Sequence, residues 1–296
     1  MIERVTQATL LRELRASVAR LQRQLVEAQE TVSSQKRLHE ASDDPAGAAR
    51  ANRLHGETRA LTALRDGVAF GTGVLGAEDA ALDQGQALLT RAREIAAQQS
   101  SGLMTAAARQ QAAEEVAEIE RSLLALGNTA IGGRYVFGGL ASGAAPFANL
   151  DDPGFDPATA YTGPSDPFVI TAGASQSIRL TTPGGQVFGQ SLVALDNLRQ
   201  TLAAGDAPVT SLDEIETGAV TLRAERASVG ARLARSQSRD QEIVGAIDGA
   251  RKALGAVEDA DLTMAISELV QLQSALQVTL AAGSTLQTSL LDYVRL

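Results

Sequence analysis

The chain has 296 residues with a formal net charge of −9; 44% of them are hydrophobic, only 3% are aromatic, and there is no Trp and no Cys. The missing cysteine excludes disulfides, thiolate catalysis and Cys-ligated metal. The acidic balance, with no Lys/Arg cluster interleaved with aromatics, excludes a nucleic-acid surface built on phosphate neutralisation. So few aromatics argue against a thick enzyme core and for Ala- and Leu-rich helices packed closely together.

The opening Met1-Ile2-Glu3-Arg4-Val5-Thr6 has no apolar h-region, so no Sec-type signal peptide is expected. From there apolar residues recur at alternating spacings of three and four: Leu11, Leu14, Val18, Leu21, Leu25, Ala28 and Val32. That is the seam of a helix supercoiled on partner helices. Ser42-Asp43-Asp44-Pro45 breaks it, because Pro45 biases Asp44 out of the helical region while the carboxylates can cap the next helix. A second helix is predicted from Pro45 to Gln99, with Leu75, Leu82 and Leu89 in its stripe, and a third over 105–127, with Val116, Ile119 and Leu123 inward.

The character then changes. Six of the eight prolines fall between Pro146 and Pro183, and seven of the nine aromatics between Tyr135 and Phe188. Short β-prone runs, Phe168–Thr171 and Ser177–Thr181, stand among turn signals such as Pro183-Gly184-Gly185. Residues 138–190 therefore read as a small β-rich insert. Helix is expected again over 192–204, and Ser211 three residues before Glu214 reads as a capping box. The three–four seam resumes through Leu222, Val229, Leu233, Ile243, Ile247 and Leu254, slips at Asp259-Ala260-Asp261, and restarts with Leu262, Ile266, Leu269, Leu272, Leu276, Leu280, Leu286 and Leu290. Leu269–Leu291 is uncharged and long enough to span a bilayer, but Gln, Ser and Thr occur throughout it, so no membrane span is expected.

The fold class is thus mainly α: a long antiparallel helical coiled-coil rod formed by both chain ends, with a small β-rich domain inserted at the tip. Chemistry is sparse. Gly71-Thr72-Gly73-Val74-Leu75-Gly76 matches G-x-G-x-x-G, yet a dinucleotide loop needs a preceding strand and these residues lie in a helical run. His39, beside Glu40, Asp43 and Asp44, reads as part of a solvated turn, and His55 as an exposed helical residue. No catalytic, cofactor-binding or metal-ligating residues are expected, and no cofactor.

The motifs, in order, resemble the flagellin superfamily, and within it the hook-associated proteins of the hook–filament junction. The carriers are Lys36-Arg37-Leu38-His39-Glu40-Ala41-Ser42-Asp43-Asp44-Pro45-Ala46-Gly47, then Arg91–Ala96, then Gly133-Arg134-Tyr135-Val136-Phe137-Gly138-Gly139, then Val229-Gly230-Ala231-Arg232-Leu233, and last Leu290-Leu291-Asp292-Tyr293. The likeness covers about residues 1–140 and 211–296. Gln35 stands where the family usually has Gly, and His39 where it usually has Asn.

The resemblance implies an extracellular structural subunit of the flagellum, exported without a cleaved signal peptide, whose chain ends order on assembly. It divides the chain into 1–40, an N-terminal assembly helix; 41–137, the N-terminal part of the helical rod; 138–190, the β-rich outer domain; 191–258, the C-terminal part of the rod; and 259–296, a C-terminal assembly helix. The implied assembly interface is Leu11, Leu14, Val18, Leu21, Leu25, Leu262, Ile266, Leu269, Leu272, Leu276, Leu280, Leu286 and Leu290. The family-motif residues are Asp43, Asp44, Pro45, Arg134, Tyr135, Phe137, Gly138, Gly139, Gly230 and Arg232. The implied partners are other copies of the chain, a second hook-associated protein on the hook side, flagellin on the filament side and an export chaperone, with no nucleic acid and no membrane. Filament flagellin and a cytoplasmic coiled-coil scaffold are the rival readings; an enzyme hidden in 138–190 would need a carboxylate pair that Asp151, Asp152, Asp156 and Asp166, all in turns, do not supply.

Overall fold

A computed structural model describes residues 7–173 and 176–294. Six helices dominate: α1 (Gln7–Ser34), α2 (Pro45–Gln99), α3 (Ala106–Gly127), α4 (Gly184–Ala203), α5 (Ser211–Glu258) and α6 (Leu262–Val294). Between α3 and α4 lie two hairpins, β1 (Ala130–Ile131) with β2 (Arg134–Tyr135), and β3 (Val169–Gly173) with β4 (Gln176–Arg179). This is the predicted mainly α chain with a small β region.

The helix ends follow local chemistry. Asp44 accepts the Gly47 N–H at 2.9 Å and Pro45 takes the first helical position of α2, where its missing N–H is harmless. Thr105 caps α3 through the Ala108 N–H, and Asp261 caps α6 through the N–H groups of Thr263 and Met264. The predicted capping box at Ser211 does not form: Ser211 is already helical and buried, and Glu214 instead accepts from Asn197 Nδ2 at 3.0 Å. Packing against α4 has overridden the local motif.

The chain divides into two compact units, one made of the residues up to Ala60 with those from Ile247 onward, the other of Leu61–Ala246. In the first, the end unit, the predicted pairing of the chain ends is observed: α1 packs on α6. The pair is antiparallel, because Lys36 bridges Asp259 while Leu14 lies against Gly283.

In the second, the central unit, α2 and α5 are also antiparallel, with Arg65 bound to Asp240, Thr72 to Ser236 and Asp79 to Arg226. The core draws Leu75, Leu82 and Leu89 from α2, Val116 and Leu123 from α3, Leu192, Leu195 and Leu198 from α4, and Ile215, Leu222 and Val229 from α5. The GxGxxG run lies inside α2, and a Cβ on Gly71 would come within 2.7 Å of Leu180 and 2.9 Å of Ile170. That glycine admits the β3–β4 hairpin onto the helix; it does not cradle phosphate.

Segment 138–190 has less strand than its composition suggests. Among its described residues it holds, apart from β3 and β4, one isolated bridge, Phe147 to Tyr161, and its aromatics join the helical core instead of closing a core of their own. Phe137 stacks edge-on against Phe188 at 4.8 Å, and Phe147 against Tyr161 at 5.3 Å. Helix α4 begins at Gly184, earlier than predicted, because Gly184 and Gly185 work there as thin helical positions: a Cβ would meet Phe147 at 2.5 Å and Tyr161 at 2.9 Å.

Two polar clusters are buried with this core. In one, Glu120 of α3, with no exposed side-chain surface, accepts from Arg199 Nε of α4 at 3.0 Å; Arg199 also binds Asp196. Burial pushes the Glu120 carboxyl up to about 7 against the attraction of Arg199, and Asp196 adds to the rise. The folded protein therefore keeps this proton above pH 4.5, the ordinary value, where the unfolded chain releases it. Stability then falls as pH rises from about 4.5 to about 7 and is level above. Glu120→Gln is expected to flatten part of that fall, read as thermal midpoint against pH; an unchanged profile would refute the burial account.

Candidate assembly interface

The segment around Asp44 builds a clasp inside the end unit. α1 stops at Ser34, and Gln35 turns the chain with φ +60°, in the left-handed region that favours glycine. This turn lays the next residues along the end of α5. Arg37 N–H donates to the Glu258 carbonyl at 2.7 Å and Ala260 N–H to the Gln35 carbonyl at 3.0 Å. Side chains close the clasp: Lys36 Nζ donates to Glu258 Oε2 at 2.8 Å, His55 Nε2 lies 2.7 Å from Glu258 Oε1, and Arg37 Nη2 donates to the Val257 carbonyl at 3.0 Å. The Lys36 hydrogen bond, seconded by His55, holds the Glu258 carboxyl below its ordinary range. Asp43 accepts from the N–H groups of Glu40 and His39, which hold its carboxyl low in turn. His39 is exposed, 3.0 Å from Ser34 Oγ, in the predicted solvated turn. His55, expected to be a lone exposed residue, is instead half-buried and paired with Glu258. The sequence reading named His55 but missed Glu258 and the pairing, since only the antiparallel register brings Glu258-Asp259 opposite Lys36-Arg37.

Beyond the clasp, the seams are covered on one side only among the described residues. On α1, Leu14, Val18, Leu21 and Leu25 are half-buried, and Ala28 is buried. On α6 the side facing α1 is Ala265, Leu269, Leu272, Leu276, Thr279 and Gly283, at spacings of three and four. Leu262, Ile266 and Leu280, expected on the same seam, fall outside it and are exposed, as are Met264, Val270 at 54% and Val278 at 69%. The single stripe read from the sequence is thus two faces, one packed on α1 and one open. The side chains of Leu11, Leu286 and Leu290 lie outside the described residues.

An open groove of about 460 Å³ runs along the pair, lined by Glu13, Leu14, Ser17, Arg20, Leu21, Gln24 and Thr279. The chain carries no charge between Glu268 and Asp292, so covering the open face of α6 there desolvates amides and hydroxyls, not ions. Among the described residues, no group of three or more His, Cys, Asp or Glu could hold a metal ion, and no helix is long and apolar enough to cross a membrane.

The remaining motif residues sit in the central unit. Gly132-Gly133, with φ of +56° and +77°, make the two-residue turn of the β1–β2 hairpin. Arg134 stacks over Phe168 at 5.2 Å, Tyr135 is half-buried, and Phe137 is fully buried. Gly138 is buried, and Gly139 takes φ +58° with the Asp166 carbonyl 2.7 Å from where its Cβ would stand. Arg232 is buried between α2 and the β4–α4 link, whereas Gly230 is exposed on α5 with open space at its Cβ position, and nothing in the fold explains it.

Residues 6–142 match the family model described as the bacterial flagellin N-terminal helical region. The flagellin of Listeria monocytogenes is 24% identical over 258 residues, 87% of this chain and 86% of its own. Among solved structures, FlgL of Bacillus cereus superposes with a TM-score of 0.59 at 17% identity, over 69% of this chain and 99% of its own. The flagellar hook associated protein-3 of Legionella pneumophila does so with a TM-score of 0.62 at 13% identity, over 70% and 98%.

Two substitutions test the local readings. Gln35→Gly is expected to raise stability by about 1 kcal/mol in thermal or urea unfolding, since only the backbone strain is relieved. Gly139→Ala is expected to cost about 2 kcal/mol or more, from a disfavoured φ and a carbonyl contact together. The chain thus carries a match to the flagellin N-terminal helical region over residues 6–142 and takes the fold seen in the hook-associated structures.

Proposed function

We propose that the chain is a non-catalytic structural subunit of the bacterial flagellum, an adaptor between hook and filament that assembles through the open faces of α1 and α6. The observation that carries this reading is α6 itself. It is apolar on the side that packs on α1 and apolar again on the side that does not, with Met264, Ile266, Val270, Val278 and Leu280 exposed. Exposed apolar area of that kind marks a surface awaiting partners. The junction is favoured over other flagellar positions by the likeness to FlgL and hook associated protein-3. On this reading the chain is exported to the cell exterior with the help of a chaperone. It contacts its own copies, a second hook-associated protein on the hook side and flagellin on the filament side, and 1–40 with 259–296 are the assembly helices.

A second reading, filament subunit, has the Listeria flagellin likeness behind it. Seeding isolated hooks with purified protein separates the two: the junction reading expects a short collar, the filament reading long polymers, both visible by electron microscopy. The double variant Val270→Asp/Val278→Asp is expected to keep the thermal transition of the central unit and lose hook binding by ~100-fold or more. An unpaired carboxylate buried at each contact costs several kcal/mol. Wild-type binding by that variant would remove the open face of α6 from the interface.

A further inference from the structure

The central unit buries a second polar cluster that the proposed assembly does not use. Glu78 on α2 is fully buried, and the Arg232 side chain on α5 is 4% exposed. Arg232 Nη1 lies 3.6 Å from Glu78 Oε2, and Nη2 pairs with Glu225 Oε1. These groups converge on the short link between β4 and α4. Thr182 N–H donates to Glu78 Oε1 at 3.3 Å; its hydroxyl donates to Glu225 Oε1 at 2.5 Å and accepts from Arg232 Nη2 at 3.2 Å. Arg232 Nη1 donates to the Arg179 carbonyl at 3.4 Å. The charged groups facing Glu78 are Arg232 and Glu225 from α5, with the Arg179 guanidinium of β4 beyond, 3.9 Å from Glu225.

One buried guanidinium therefore serves two carboxylates. The pair of acids balances it only while one of them holds a proton, because an extra charge out of water is costly. Glu78 is the more buried of the two, and burial pushes its carboxyl up to about 7. When Glu78 ionises, it competes for Arg232, and Arg232 is what holds the Thr182 hydroxyl and the Arg179 carbonyl. Leu75 of α2 and Val229 of α5 are fixed in the core on either side. The non-helical link is the wall that can yield and admit water.

We infer that Glu78, Arg232 and Glu225 form a proton-operated latch on the link Arg179–Thr182, closed while Glu78 carries its proton and loosened when that proton is released to solvent. The latch sits where Gly71 lets Leu180 and Ile170 press on α2, so its loosening frees the β3–β4 hairpin locally.

The test is amide hydrogen exchange on the full chain from pH 5.5 to 8.5, corrected for intrinsic exchange. Protection at Leu180 is expected to fall about tenfold across that range, one pKa unit's worth of coupling, while amides of Leu75 and Val229 hold steady. Glu78→Gln is expected to keep Leu180 protected throughout, and Glu120→Gln to retain the wild-type fall. Glu225→Gln, which leaves Arg232 to Glu78, is expected to move the fall to lower pH. Constant protection in the wild type overturns the latch. So does an equal fall in Glu78→Gln, a parallel loss at Leu75 and Val229, or an unshifted fall in Glu225→Gln.

Discussion

The Glu258 carboxylate, at the last residue of α5, is shared between Lys36 and His55. Everything in the end unit depends on that meeting. Backbone hydrogen bonds from Arg37 and Ala260 flank it, so the turn after α1 and the turn before α6 are held as one piece. A helix pair such as α1 and α6 has no local reason to choose its register, since heptad seams slide by whole turns at little cost. The clasp removes that freedom: once Gln35 and Ala260 are bonded, Leu14 must reach Gly283. Lys36 is about half exposed, so its ion pair adds little stability by itself. Its value is positional.

The helices were legible because their signal is redundant. Seams of Leu, Ile and Val recur over many turns, and Asp44-Pro45 and Asp259-Ala260-Asp261 punctuate them with residues whose backbone preferences leave few options. The link between 138 and 190 was less legible for a physical reason. Its prolines and aromatics signal irregular, apolar chain, but they do not say which core the aromatics enter. Phe137 and Phe147 pack with Phe188 of α4, a contact visible only once α4 is known to start at Gly184. Gly184-Gly185 after a proline reads locally as a turn. Sterics from Phe147 and Tyr161 make it the first turn of a helix.

The packing of the candidate interface was legible in outline and not in detail. Leu262, Ile266 and Leu280 obey the same spacing as Leu269, Leu272 and Leu276, yet only the latter three pack on α1. Spacing alone cannot separate two apolar faces on one helix when polar residues do not mark the boundary between them. The motif arginine was also found without its meaning. Arg232 was singled out by resemblance, but its two acids lie far from it in sequence or a helical turn or two away, where charge patterning looks like solvated surface.

The open face of α6 also bears on when this chain orders. Among the described residues of the end unit the buried apolar side chains are small or few: Ala28, Ala51, Ile247, Ala250, Val257 and Ala265. Each ordered residue costs roughly 1–2 kcal/mol of backbone entropy, so two long helices need more burial than one shared seam supplies. The central unit has no such shortage, with large aliphatic and aromatic side chains fully enclosed between four helices. The same chain thus joins a unit that can stand on its own core to one whose apolar surface is half spent. Charge would have kept that second surface soluble but would have blocked close packing; Gln, Ser and Thr keep it wettable and still coverable. Under the proposed function, a helix built this way would gain most of its order from whatever covers its second face.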